Sequence, residues 1–491
     1  MTSKTTKESV LVFTLSLAVY IACAAGYYNT FDGASSVKAA TALLESGRLG
    51  YADINHYHPF VAFRGEDGLF HTKMGVTTVL AFIPFVAMGE IYSALTGWPS
   101  YKSIELFSSF SNSFVTALIV VILFRHFRGQ NKSFRWAAGV AAFIGFATEL
   151  FPYAKTVFRD PLEGLLILIT FLALSRAHVG DEKARQRQLT IAGVAAFFLI
   201  NTKFAAITLL VPALLLFPWQ KMTTREKLIF VVLPVIAALA VIALIDWQAG
   251  ARIFSQGYRE SAWRLPDPKS SSATPWKTPF WSGMYIQLMS PQKSFYFYSP
   301  ILIIPTVLAI QRAIQKKLSR MDIAVILTFF IQAMVYAKWF SPGGFGHLPP
   351  RYMITVIPLF GLLMTEPFQW PTSNWNRRVI TGLSAFLILI SVATQMINVT
   401  VNMRVYPLIL KAGLLSTEDD YNMPHWQANI IIFWNKINGL ADRYYTRDFD
   451  IDSDTTADLT ANSQVSGLDF WYLYLERSKK DHDFHFPVPT N

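Results

Sequence analysis

The sequence predicts an all-α polytopic membrane protein. It would have about 11 transmembrane helices, surface helices in the first external loop and a small polar external C-terminal tail. Three observations carry this. Of 491 residues, 52% are hydrophobic and only 15% are charged, against roughly 25% charged in a soluble globular chain; mean hydropathy is +0.33. The apolar residues come in runs of about 16 to 24, the length that crosses a bilayer. Most Lys and Arg sit in short segments between those runs, as cytoplasmic loops do.

That placement also explains the net charge of +11. It is the charge of inward-facing loops, and it argues against nucleic acid as a partner. The single cysteine, Cys23, lies in the first apolar run, so there is no intrachain disulfide and no Cys-based metal site. The run Val10 to Ala25 ends on Ala22-Cys23-Ala24-Ala25, like a leader cleavage site. Its apolar core is long for a leader, and it is read as a retained span.

Lys4 and Lys7 place the N-terminus inside, and the first span (8–26) leads outward. The external loop 27–103 follows. It begins Tyr27-Tyr28-Asn29-Thr30-Phe31-Asp32-Gly33 and continues as a helix over about 33–47. Ala34, Val37, Thr41 and Leu44 form one stripe there, with Ser35, Lys38 and Glu45 off it. That pattern predicts a helix lying along a membrane surface. The run 74–96 is long enough to span. If it did, the basic segment from Arg125 to Arg135 would face outward, so it is read as a second surface or re-entrant helix.

Further spans fall at 104–124, 136–150, 161–178, 189–201, 204–218, 228–246, 299–313, 322–338, 352–366 and 379–397. A second long external loop covers 247–298. Residues 1–397 thus form the membrane domain and 398–491 an external C-terminal region. No fixed-period or inverted repeat is visible, which counts against a secondary transporter.

This layout collects charged residues on one face: Asp32, His71, Lys73, Lys155, Arg159, Asp160, Lys203, Arg252, Arg259, His347 and Arg351. Each has a plain structural alternative. Asp32 and Asp160 could cap helices, and Lys73 could snorkel to the headgroups. Together they are two acids and several bases at the ends of different spans, where charge is expensive and usually functional. Glycosyl transfer from a polyprenyl-phosphate sugar fits. The leaving lipid phosphate needs Lys or Arg, and the acceptor hydroxyl needs one carboxylate as base.

These residues also resemble a family. From about 8 to 365 the chain is similar to the GT-C superfamily of integral-membrane glycosyltransferases, which includes protein O-mannosyltransferases and bacterial aminoarabinose transferases. The resemblance lies in Asp32 through Gly47 after the first span and in Phe70-His71-Thr72-Lys73-Met74-Gly75. It continues in Phe158-Arg159-Asp160-Pro161, Asn201-Thr202-Lys203-Phe204, Ser290 to Phe295 with Tyr298-Ser299-Pro300, and Trp339 through Arg351-Tyr352 with Gly343-Gly344. One departure is Gly33, where many members have a second acid.

The resemblance implies an inverting hexosyl- or pentosyltransferase in a bacterial inner membrane, active on the periplasmic face. Asp32 would be the base. Lys73, Lys203, Arg252 and Arg259 are candidates to hold the phosphate. Asp160 would orient the acceptor or the basic groups, and His71, Tyr153, Arg159, His347 and Arg351 are further candidates. Partners would be a lipid-linked sugar donor and a glycan, lipid or protein acceptor. No cofactor is required; a divalent metal, as some relatives bind, would draw on Asp32, His56, His58, Asp160 and His347. The alternatives are a lipid-linked glycan polymerase or ligase and, behind it, a transporter or flippase.

Overall fold

A computed structural model describes residues 3–28, 30–52, 62–256, 276–291, 293–339, 341–344, 351–364 and 374–400. His56, His58, Arg259, His347 and the region from 401 onward lie outside the described residues.

Helical segments lie in each predicted span as far as the spans are described. At the core, Ser111–Gly129 and Asp160–Arg176 bury Phe124, Phe127, Ile167, Leu168 and Phe171 completely. Outer helices do the reverse. Leu228, Leu233, Ile236 and Leu244 on the 224–248 segment are at least half exposed, as are Leu383, Phe386 and Leu389 on Asn374–Thr400. Apolar side chains facing outward along whole helices mark a lipid-facing surface. Six helical segments among the described residues are long and apolar enough to cross a membrane. The chain is an integral membrane protein.

The basic loops start the helices that follow them. Ser133 and Asp181 cap the N-termini of Phe134–Phe146 and Glu182–Ile200. Thr223 with Glu226, and Ser319 with Asp322, form reciprocal capping boxes, in which two otherwise unpaired N–H groups are satisfied at once. The same loops meet each other: Arg128 pairs with Glu8 at 2.9 Å, Arg185 with Glu226 at 2.9 Å, and Lys221 Nζ donates to the His178 carbonyl at 3.0 Å. The acids and bases expected outside gather at different helix ends, described below.

The first helix after the opening span is Phe31–Ser46, closed by Gly47. The stripe expected of it is incomplete. Ala34, Ser35, Ser36, Val37, Ala39 and Ala40 are all buried, so its first half is enclosed by protein on several sides. Ser35 even pairs its hydroxyl with that of Tyr51 at 2.8 Å. Gly33 is the reason the helix can sit so deep: a Cβ there would collide with the Val157 carbonyl and side chain. A second acid at this position has no room.

Three further differences have local causes. A two-stranded antiparallel hairpin, Ala62–Arg64 with Phe70–Thr72, interrupts the all-α pattern; three-residue strands are too short to show a two-residue period. The span expected at 104–124 is split into Ser100–Ser109 and Ser111–Gly129. The span at 204–218 is a broken run, tight turns at Phe204–Leu209 and Leu214–Leu216 around Leu210–Ala213.

The Val76–Thr96 helix begins beside Asn201 and Thr202, whose carbonyls accept from Thr77 and Gly75. It continues through Pro84. Gly89, ~20 Å along, lies against the backbone of Ile104. The next residue, Glu105, accepts from the Tyr28 amide at 2.9 Å. The helix thus runs from the segment that leads into Lys203 to one that meets the chain just before Asp32.

Candidate active site

Asp32 stands in the first turn of Phe31–Ser46, but it is not the cap. Thr30 is: its Oγ1 accepts from the Gly33 amide at 3.1 Å. The Asp32 carboxylate is therefore free for other work. Its Oδ2 accepts from Arg351 Nη2 at 2.6 Å. Asp160 opens the Asp160–Arg176 helix, again with no side-chain cap bond, and its Oδ2 accepts from Arg351 Nε at 3.1 Å. One guanidinium thus bridges the two acids. It lies flat on Phe158, 3.8 Å from the ring centroid, where cation–π attraction adds to the ion pairs. Of the Asp32 side chain 23% stays exposed, against 4% for Asp160. Asp32 is the acid that a ligand can reach.

Lys73 and Lys203 are brought together by backbone. Gly75 N donates to the Thr202 carbonyl at 3.0 Å, and a Cβ on Gly75 would overlap the Asn201 carbonyl. Glycine is what lets these two strands of chain touch. Lys73 is 1% exposed and Lys203 7%, so neither is a snorkelling surface lysine. The Lys203 ammonium sits among aromatic faces: Tyr336 at 4.4 Å, Tyr352 at 4.9 Å and Trp339 at 5.8 Å, the two tyrosines stacked 4.0 Å apart. Arg159 joins the group through Glu163, 3.3 Å away, and through the sulfur of Met74 at 3.0 Å. Tyr153 is buried beside Phe158, its ring centroid 5.9 Å away.

Charge here is finely set. Burial would push the Asp32 carboxyl up, but Arg351, Arg159 and Lys73 outweigh it and hold it below the usual carboxylate range. Burial pulls Lys73 down to about 7, partly offset by Asp32. Burial and then Arg159 pull Lys203 down to about 7, opposed by Glu163 and Asp160. The site holds an ionised acid, Asp32, beside Lys73, and a second lysine, Lys203, beside Glu163 and Asp160; both lysines are poised to gain or lose a proton near neutral pH.

Other expected residues have different partners or lie outside the described residues. Lys155 donates to the Val399 carbonyl at 2.8 Å, in the last turn of the Asn374–Thr400 helix. His71 faces Asp67 at 3.1 Å on the hairpin and stacks on Phe63. Arg252 is exposed on the turn after the 233–248 helix. Arg259 and His347 lie outside the described residues. The sequence reading also missed Glu163 and the Tyr336–Trp339–Tyr352 cage. Glu163 was signalled by its spacing, one helical turn after Asp160 and Arg159; the cage was hidden among the abundant aromatics.

A divalent metal does not fit the two acids as they stand. Arg351 occupies the place between them, and among the described residues no three His, Cys, Asp or Glu side chains converge. His56, His58 and His347 are outside the described residues.

No protein-family model matches the sequence, and no curated protein does either. Solved structures of ArnT from Cupriavidus metallidurans are similar to the chain. The apo form has 15% identity and a TM-score of 0.45, with 89% of this chain and 72% of that one covered. The form bound to undecaprenyl phosphate has 14% identity and a TM-score of 0.45, with 88% and 71% covered.

Proposed function

We propose that this protein transfers a sugar from a polyprenyl-phosphate donor to an acceptor hydroxyl on the external face of the membrane, by a single inverting displacement. The observation that carries the reading is the Arg351 bridge between Asp32 and Asp160, with Lys73 and Lys203 joined to the same region through the Gly75–Thr202 contact, all at the ends of separate helices. The acceptor oxygen attacks the anomeric carbon, and its proton passes to Asp32. The bond from that carbon to the phosphate oxygen breaks, and the electron pair leaves with the lipid phosphate. Lys73 and Lys203 take up the charge that develops there. Asp160, held by Arg351, keeps the guanidinium in place. The products are a glycosylated acceptor and free polyprenyl phosphate.

The test is to supply polyprenyl-phosphate sugars and follow release of polyprenyl phosphate. A glycan ligase that needs a pyrophosphate-linked donor, or a flippase, would release no polyprenyl phosphate from these substrates, and that result overturns the proposal.

Binding should depend on pH in a defined direction. Lys73 and Lys203 lose protons as pH rises through about 7, while a bound phosphate favours their charged forms. Donor binding therefore takes up protons, and affinity should fall by roughly tenfold or more between pH ~6.5 and ~8.5. Affinity flat across that range would contradict the lysine assignment.

The proposed topology keeps Val76–Thr96 on the external side. Val76–Thr96 is itself one of the six helices long and apolar enough to cross; what supports keeping it external is the basic segment from Arg125 to Arg135, which a span there would turn outward. A cysteine at Gly97 should label from outside and one at Gly129 from inside. Labelling of Gly97→Cys only from the cytoplasm would make Val76–Thr96 a span.

A further inference from the structure

Glu163 is a carboxylate in the interior of the helix bundle, 3% exposed, and the proposed chemistry leaves it without a role. Burying a carboxylate is costly unless it is paired and hydrogen-bonded, and an apolar residue would fill a helix interior without that cost. Its partners come from three separate segments. Oε1 is 3.3 Å from Arg159 Nε and accepts at 3.3 Å from the Thr202 hydroxyl, which it shares with the Leu199 carbonyl at 2.7 Å. Oε2 accepts from the Thr355 hydroxyl at 3.2 Å. Thr202 directly precedes Lys203, and Thr355 lies in the Arg351–Val356 turn.

We propose that Glu163 is a positioning residue: its buried carboxylate ties the start of the Asp160–Arg176 helix, the Thr202–Lys203 corner and the Arg351–Val356 turn into one frame, so that Lys203 and Arg351 meet the same ligand. Being buried, it touches no ligand itself. The proposal rests on the reading that Lys203 holds a lipid phosphate.

The frame also has an electrostatic consequence. The groups that face Lys203 are the cations Arg159 and Arg351, the acids Glu163 and Asp160, and the rings of Tyr336, Tyr352 and Trp339. Glu163 is the larger of the two acidic influences that keep Lys203 charged. Removing its charge leaves the repulsion from Arg159, so Lys203 should discharge at lower pH.

The experiment measures polyprenyl phosphate binding to the full-length protein in nanodiscs, from about pH 6 to about pH 9. Glu163→Gln keeps the shape and one accepting oxygen, turns the other oxygen into an N–H donor from which the Thr355 hydroxyl can accept, and removes the charge. The loss of affinity on the alkaline side should move about one pH unit lower, which makes binding roughly tenfold weaker than wild type at pH ~7.5. A merely structural glutamate would leave that limb where it is, and an unmoved limb overturns the proposal. Thr202→Val with Thr355→Val cuts the tethers and keeps the carboxylate. Affinity should fall roughly three- to tenfold at every pH, and wild-type affinity there overturns the frame even if Glu163→Gln fails to fold. Lys203→Ala is measured alongside. If it binds like wild type, the phosphate reading itself fails, and the proposal with it. If it binds weakly while the limb in Glu163→Gln stays put, only the positioning role is lost.

Discussion

Asp32→Asn should fold, bind donor and lose transfer by roughly 10²- to 10⁴-fold, the usual worth of a general base. The substitution is close to isosteric. It costs the helix no cap, because Thr30 holds that position. An Asn oxygen can still accept from Arg351, and Arg351 keeps its second acid, Asp160. What Asn cannot do is take the acceptor proton. Asp32 is suited to that task because its arginine and lysine neighbours keep it ionised while 23% of its side chain stays open. Transfer within a fewfold of wild type would reduce Asp32 to a structural partner of Arg351.

Arg351→Ala should behave differently, because it strands two buried or half-buried carboxylates. Removing one member of a buried charged pair costs about 3–5 kcal/mol, so the variant should unfold at markedly lower denaturant in detergent, and transfer should vanish with it. Arg351→Lys should recover little. One ammonium cannot donate in fixed geometry to both Asp32 and Asp160 while lying flat on Phe158. Combining Arg351→Ala with Asp32→Asn should be less than additive, since the second change removes an acid that the first left unpaired. Wild-type stability in Arg351→Ala would show that the bridge adds nothing to the fold.

The helices were legible in the sequence because hydrophobic run length and loop charge are strong, local signals. Asp32, Asp160, Lys73 and Lys203 stand out in the sequence for the same reason: each breaks an apolar pattern at its edge. What was not legible depends on long-range contact. Arg351 reads as one basic residue among several, yet it joins Asp32 and Asp160 across 319 and 191 positions of sequence. Lys155 reads like its neighbours in sequence, yet its ammonium donates to the Val399 carbonyl, 244 positions away. The break in the span at 204–218 follows a corner fixed by Gly75 and Thr202, which no periodicity could announce. The departure at Gly33 is explained only once Val157 is seen against it.

The central claim, that this site holds a lipid phosphate, is tested most directly by equilibrium binding of polyprenyl phosphate to the wild type, Lys73→Ala, Lys203→Ala and the double variant. A charge-assisted hydrogen bond is worth about 1.5–3 kcal/mol, so each single change should weaken binding roughly 10- to 100-fold. The double change should cost less than the product if both lysines meet one phosphate. Binding by the double variant as tight as that of the wild type would contradict the account.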